Sequence, residues 1–341
     1  MGEYYYAILS GEHPCMPLEE LKAILEVEAG RYKIHAVHEG IAVFTAQLGN
    51  PPVVAERAGW VREVGVVLGW AESTIDGVRR LAVETSRRIG TGTVWVDPWR
   101  FKGYSPQAKE DLVRRIFIEE LRRAGITHGK GGKVLRVFIT EGIAVAGILL
   151  GSRPKGFHQR RPRMRPFFKP GPLSPELSRV MVNMSRLRRG SSFLDPFCGT
   201  GGFALEAMLI GAGKVLCGDI DPSMVWGSSV NLGRYGCSSC MVFRHNAARM
   251  PLDDGAADAI ATDPPYGRST TTSRMGYRGV MRGFLPEAYR VLKAGGYLVF
   301  AGPYREEPWR LAEEAGFRVV SRFHMYVHSS LTREVVVSLK E

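Results

Sequence analysis

From residue 192 onward, short apolar runs alternate with helical patterns, and this rhythm constrains the fold more than any other feature of the chain. The runs cover 192–195, 215–219, 241–244, 259–262 and 297–301, and each ends in a turn-forming tip. Strands spaced by helix-length segments predict a mostly parallel sheet with helices on both faces. Two last runs, 318–326 and 334–339, read as an antiparallel pair closing one edge. Ligands of such sheets bind beyond the carboxyl ends of the strands, where strand order reverses. The tips are therefore the places where chemistry is expected.

The first tip reads Asp195-Pro196-Phe197-Cys198-Gly199-Thr200-Gly201-Gly202. Its glycines let the backbone approach a ligand closely, since a Cβ would intrude. Turns of this kind serve several nucleotide cofactors, so the motif alone does not choose among them. The second tip carries Asp219, 20 residues beyond Gly199, with Ile220 next to it. A carboxylate there is placed to accept hydrogen bonds from both hydroxyls of a ribose. Asp221 followed by Pro222 reads instead as the N-cap and first residue of the next helix.

The fourth tip, Asp263-Pro264-Pro265-Tyr266, narrows the choice. An aromatic exocyclic amine is a poor nucleophile because its lone pair is delocalised into the ring. A carboxylate and a rigidly held backbone carbonyl can accept its two N–H bonds and turn the lone pair toward an electrophile. Asp263 can also take the proton released afterwards. Tyr266 offers a ring on which a base can stack, so the ring rather than the hydroxyl is expected to matter. Hydride-transferring enzymes have no use for this tetrad at that place, whereas N-methyltransferases do. The catalytic candidates are thus Asp263, Pro264, Pro265 and Tyr266.

The net charge of +12 is concentrated in one segment. Residues 1–152 and 191–341 each carry a net +1, whereas 153–190 hold 11 basic side chains against one acid. A basic connector between near-neutral domains is the footprint of a polyanion. Arg160, Arg161, Arg163 and Arg165 are its densest part, and Arg268, Arg274, Arg278 and Arg282 crowd the stretch after Tyr266 as further phosphate candidates. Prolines 154, 162, 166, 170 and 172 make the connector an extended, semi-rigid strap.

Upstream, the pattern predicts a strand at 4–9, a helix through Leu18, Leu21, Ile24 and Leu25, and a strand at 41–45. A second group follows: a helix near 76–89, a strand at 93–96, a helix capped by Ser105 and Pro106, and a hairpin turned at Glu141-Gly142. Residues 1–152 therefore read as two small α+β units. Five cysteines are too few for a disulfide framework, and Cys237 and Cys240 form a single C-x-x-C without a second pair, which reads as two small loop residues, or as a local disulfide in a heat-adapted organism, rather than as a metal site. No metal is expected. No apolar stretch is long enough to span a bilayer, and a cytoplasmic location is expected. Asparagine plus glutamine total only seven, a thermophile-like scarcity.

These residues together resemble the class I methyltransferases that carry a THUMP domain, in particular the archaeal tRNA guanosine N2-methyltransferases acting at nucleotide ten. The resemblance rests on Asp195-Pro-Phe-Cys-Gly-Thr-Gly201, Gly218-Asp219-Ile-Asp221, Asp263-Pro-Pro-Tyr-Gly267, the run from Arg165 to Arg179, and His328-Ser-Ser-Leu-Thr-Arg333. It implies an N-terminal ferredoxin-like unit (1–72), an RNA-gripping THUMP unit (73–152), the basic linker (153–173) and a Rossmann-like methyltransferase domain (174–341). It implies S-adenosyl-L-methionine as cofactor, held by Asp195, Pro196, Gly199, Thr200, Gly201, Asp219, Ile220, Asn246 and Ala247. Where the family usually has Asp-Ala, this chain has Asn246-Ala247, whose amide oxygen can still accept from an adenine amine. The implied reaction is methylation of a guanosine N2 in tRNA, at position ten, to a mono- or dimethyl product. A monomer acting on tRNA, with an activating protein partner, is the expected assembly. The alternatives are the same chemistry at another tRNA or rRNA guanine, or a non-catalytic RNA-binding protein.

Overall fold

The computed structural model describes residues 3–266 and 276–341. The chain divides into two compact units. One holds residues up to Glu12, Glu28–Glu56 and Val61–Arg153, and the other holds His13–Val27, Arg57–Trp60 and the chain from Pro154 onward.

The first unit is built on a single eight-stranded sheet. Its elements are β1 (Tyr4–Leu9), β2 (Tyr32–His38), β3 (Ile41–Ala46), α2 (Val53–Glu56), β4 (Val61–Glu72), α3 (Ile75–Ile89), β5 (Thr93–Arg100), α4 (Glu110–Arg123), β6 (Thr127–His128), β7 (Lys133–Thr140) and β8 (Ile143–Ser152). Strand order is β2-β3-β1-β4-β8-β7-β5-β6. The two expected α+β halves are thus joined edge to edge, with β4 and β8 running antiparallel from the Glu63–Ser152 pair to the Glu72–Ile143 pair. Helices α3 and α4 bury Leu81, Phe117 and Leu121 with Val96 and Leu135 of the sheet. Thr74 caps α3 by accepting the Gly77 N–H at 3.0 Å. The cap expected at Ser105 is not found: α4 starts later, at Glu110 after Lys109, and Ser105 has φ +51°, incompatible with the extended backbone of an N-cap.

The second unit holds α1 (Met16–Glu28, through Val27), α5 (Pro175–Met184), β9 (Ser192–Asp195), α6 (Gly202–Leu209), β10 (Lys214–Asp219), α7 (Pro222–Arg234), β11 (Cys240–Arg244), β12 (Ala257–Thr262), α8 (Gly276–Val291), β13 (Leu292–Pro303), α9 (Pro308–Glu314), β14 (Arg318–His328) and β15 (Leu331–Leu339). Its seven strands run β11-β10-β9-β12-β13-β15-β14. The first five are mutually parallel, and β15 is antiparallel to both β13 and β14. This is the doubly wound sheet the alternation predicts. Strand order reverses at β9, with β10 on one side and β12 on the other. Ser174 caps α5 as expected, accepting the Leu177 N–H at 3.2 Å.

Two N-terminal segments belong to this second unit. Glu20 of α1 accepts the N–H groups of Gly59 and Trp60 at 2.6 and 2.7 Å, and the Asn183 amide donates to it at 2.8 Å. Arg57 donates to Asn183 Oδ1 and to the Leu187 carbonyl. Met16 and Trp60 enter the same apolar cluster as Val180 and Met184. The division by sequence at residue 152 does not register these insertions. Cys237 and Cys240 are joined by a disulfide.

The strap is partly structural. Arg160, buried, donates to both oxygens of Glu206, at 2.7 and 3.3 Å, and Arg179 reaches the same carboxylate at 2.7 Å. Arg165 is also buried and donates to the Arg160 carbonyl at 2.9 Å and to Thr200 Oγ1 at 3.2 Å. Asn231 of α7 fixes the backbone of Phe167 by accepting its N–H at 2.9 Å and donating to its carbonyl at 3.0 Å.

Candidate active site

All three sequence tips converge at the carboxyl end of the second sheet, around a cavity of about 490 Å³. That volume suits a cofactor-sized ligand, for which sites of ~300–1,000 Å³ are usual. Pro196, Gly199, Thr200, Asp219, Ile220, Asn246, Ala247, Asp263 and Pro265 all line it.

Each side chain is held for a reason legible in the backbone. Gly199 has φ +49°, a left-handed conformation that disfavours a Cβ, and a Cβ built there would project into open space at the cavity wall. Its N–H donates to Asp219 Oδ2 at 2.9 Å, while the Asp221 N–H donates to Asp219 Oδ1 at 3.0 Å. Two fixed donors aim the carboxylate and leave lone pairs on both oxygens for a diol. Burial raises the Asp219 carboxyl, opposed by these backbone hydrogen bonds. Asp221 is the helix cap, accepting the Ser223 N–H at 2.8 Å.

Asp195 plays a different part from Asp219. It is fully buried and absent from the cavity wall, and it accepts from Thr262 Oγ1 at 2.7 Å and from the Phe197 N–H at 3.3 Å. Burial first, and then the charges of Asp219 and Asp263, push its carboxyl up to about 8. Asp195 therefore ties β9 to β12 beneath the glycine turn. Gly201, with φ +82°, likewise shapes the turn from behind the lining residues. Asn246 uses its side-chain oxygen to accept the Ala248 N–H at 3.0 Å, so one of its lone pairs is already engaged.

At the end of β12, Asp263 is half-buried and Pro264 buried. The Tyr266 hydroxyl donates to Asp263 Oδ1 and accepts from Arg333 Nε at 2.9 Å. The hydroxyl thus has a role beside that of the ring. Burial pushes the Asp263 carboxyl above its ordinary range, against the pull of Arg333 and of the Tyr266 hydrogen bond.

Sequence reasoning missed part of the wall. Lys169, Pro170, Gly171, Pro172 and Leu173 of the strap line the cavity, as do Gly279, Val280 and Gly283 of α8. Lys169 is anchored to Ser223 Oγ at 2.9 Å and lies 3.7 Å from Asp221. The Pro-Gly-Pro of the strap was the available signal, since it marks a rigid backbone rather than a tether. Of the basic candidates, Arg161 and Arg163 are exposed, whereas Arg160 and Arg165 are used internally. Arg278 pairs with Glu306 at 3.1 Å, and Arg282 is exposed on α8. Arg268 and Arg274 lie outside the described residues. Among the described residues no cluster of metal-ligating side chains occurs, and no helix is long and apolar enough to cross a membrane.

Comparison with known proteins agrees with this geometry. A family described as UPF0020, RMKL-like methyltransferase domain, matches residues 162–334. A tRNA (guanine(10)-N2)-dimethyltransferase of Methanothermobacter thermautotrophicus is 32% identical, with 97% of each chain covered. A Pyrococcus abyssi protein of the same name is 31% identical over 96% of this chain and 97% of its own. Among solved structures, TrmN from Thermus thermophilus superposes with a TM-score of 0.56 at 19% identity, over 99% of this chain and 100% of that one, a likeness of fold. A family model that spans half of the chain and relatives covered almost end to end agree, and the chain belongs to the RMKL-like methyltransferase family together with these archaeal proteins.

Proposed function

We propose that this protein transfers a methyl group from S-adenosyl-L-methionine to the exocyclic N2 of a guanosine in tRNA, at position ten, and that a second transfer gives the dimethyl product. The observation that carries this reading is the placing of Asp263 and Pro265 on the wall of the same cavity as Asp219 and Gly199. A carboxylate suited to a nucleoside and two members of the amine-orienting tetrad thus share one chamber, with Pro264 and Tyr266 set behind its wall. The names of the two full-length relatives support tRNA, nucleotide ten and dimethylation.

The residues present fit the cofactor. Asp219, aimed by two backbone donors, suits the ribose hydroxyls, and the open space over Gly199 admits a ligand where a side chain would block it. Ile220, Asn246 and Ala247 suit the adenine. Bound there, the cofactor supplies a methyl group on an electron-poor sulfonium, whose carbon–sulfur bond breaks with its electron pair going to sulfur as the new carbon–nitrogen bond forms. The protein's task is to prepare the amine. Asp263 and a carbonyl of the rigid Pro264-Pro265 segment accept its two N–H bonds, freeing the lone pair from the ring. Asp263 then receives the proton released on transfer and passes it to water. In this reading the Tyr266 ring supports the guanine face, and Arg161 and Arg163, both exposed, touch RNA phosphates, contacts that give affinity without sequence information.

The test is a methylation assay on unmodified tRNA with mass spectrometry of the released nucleosides. N2-methylated guanosine is expected from the native protein, and none from Asp263→Ala. Asp219→Ala should weaken cofactor binding by about 1.5–3 kcal/mol, the range for a hydrogen bond to a charged group. Methylation of adenosine in place of guanosine, or full turnover by Asp263→Ala, would refute the reading.

A further inference from the structure

Arg333 is a basic residue with an unusual partner. It lies on β15, opposite Pro303 of β13 and Met325 of β14. Among the described residues no carboxylate lies within ion-pair distance of it, although the next residue, Glu334, takes both Arg322 and His324. Its guanidinium instead donates from Nε to the Tyr266 hydroxyl at 2.9 Å and sits 5.9 Å from the centre of the Tyr266 ring. The Tyr266 hydroxyl in turn contacts Asp263 Oδ1.

The direction of this chain of hydrogen bonds is fixed by inventory. Arginine has donors and no acceptor, so the phenol oxygen must accept from it. The single phenolic proton is then free to go to Asp263. A cation at one end and a carboxylate at the other polarise the hydroxyl between them. One oxygen of Asp263 is thereby pinned, and the other is left for an incoming donor.

We infer that Arg333 is a positioning residue for methyl transfer, acting through the Tyr266 hydroxyl to keep Asp263 oriented and ionised as an acceptor for the guanine amine. The inference rests on the proposed guanine N2 reaction. Burial alone drives Asp263 toward its neutral form, and a protonated carboxyl would be a poor acceptor for an N–H and could not take up a proton. Arg333 opposes that drift. Among the described residues, the other titratable groups that act on this corner supply no counter-charge. Tyr277 of α8, edge-on to Tyr266 at 6.1 Å, is buried and neutral, and Glu306, Glu334 and the buried Asp195 are acids.

The test is a set of three variants, assayed for kcat, for the KM of tRNA and cofactor, and for the pH dependence of kcat. Arg333→Gln keeps a donor and loses the charge, Arg333→Lys keeps the charge, and Tyr266→Phe cuts the relay while leaving β15 intact. Arg333→Gln and Tyr266→Phe are expected to lower kcat at pH 7 by about 10²-fold, the cost of misplacing a reacting group by about 1 Å. Both KM values should stay within about threefold, since each change removes a hydrogen bond internal to the protein and leaves the stacking ring in place. In both variants the acid limb of the profile should move to higher pH, and Arg333→Lys should restore most of the native position. A native profile in Tyr266→Phe would overturn the inference even if Arg333→Gln failed to fold. A change confined to the KM of tRNA would make Arg333 a phosphate contact instead, and would equally overturn it. Absence of methylated guanosine from the native protein would remove the functional reading itself, whereas active native protein with unaffected variants removes only the role of Arg333.

Discussion

Glu206 offers a sharp test of how the strap is held. It sits on α6 with no exposed surface, and its carboxylate receives Arg160 from the strap and Arg179 from α5, whose side chains are 10% and 4% exposed. Replacing it by Gln keeps the shape and removes the acid that both cations share, so two buried guanidinium groups are stripped of their counter-charge together. Breaking one buried pair by deleting a partner costs about 3–5 kcal/mol, chiefly because a charge is stranded. With two cations stranded, the upper end of that range is expected for the second unit. A loss of about 5 kcal/mol is comparable to the whole stability of many domains, commonly ~5–15 kcal/mol. Urea unfolding followed by tryptophan fluorescence, with Trp60, Trp226 and Trp309 in this unit, would report it as a fall in midpoint at unchanged slope. A triple replacement, Glu206→Leu with Arg160→Met and Arg179→Met, should recover much of the loss, because the apolar trio strands nothing. If Glu206→Gln cost under about 1 kcal/mol, the cluster would be solvated in practice and the strap held by something else.

Two other outcomes follow from the same structure. Asp195 has a folded-state carboxyl raised to about 8 from an ordinary 3.8, so the native state holds a proton that the unfolded chain has released. Its contribution is fully present below about pH 4 and is lost as pH rises through about 8, at up to ~1.4 kcal/mol per pH unit. The stability of native protein relative to Asp195→Asn should therefore fall across that window in urea titrations, and a gap independent of pH would contradict the assignment. Replacing exposed Arg161 and Arg163 with Ser should weaken all tRNAs alike and flatten the salt dependence of binding, by somewhat under one unit of slope for each phosphate no longer neutralised. An unchanged slope would place the RNA backbone elsewhere.

Much of the catalytic end was legible because strand tips carry their chemistry in contiguous letters. The turn after Asp195, Asp219 and the segment after β12 each need only a strand end and a turn to put residues on the cavity wall. What escaped were relations between distant letters. Arg160 and Arg165 look like Arg161 and Arg163 in sequence, and only the fold shows that Glu206 and Thr200 claim the first two. Arg333 belonged to a recognisable motif, but its partner lies 67 residues upstream. In the first unit β4 went unseen because Gly65 and Gly69 interrupt its alternation. Gly65 is there because a Cβ would come within 2.2 Å of the Ile148 carbonyl and 2.4 Å of the Tyr6 ring, so strand pairing itself demanded the residue that hid the strand.

The hydrogen bond from Asn183 to Glu20 spans 163 residues, and that separation bears on synthesis. Ribosomes deliver about 5–20 residues per second, so Met16 and Glu20 wait roughly 8–30 s between their own emergence and that of their partners on α5. Loop closure over such a distance adds little thermodynamic cost, because the entropy grows only with the logarithm of length. The burden is kinetic. Through that interval Met16 and Glu20 lack the α5 partners they have in the folded unit, while the eight-stranded sheet can already pair. Completing the methyltransferase core then requires the earliest part of the message to be fitted into the latest.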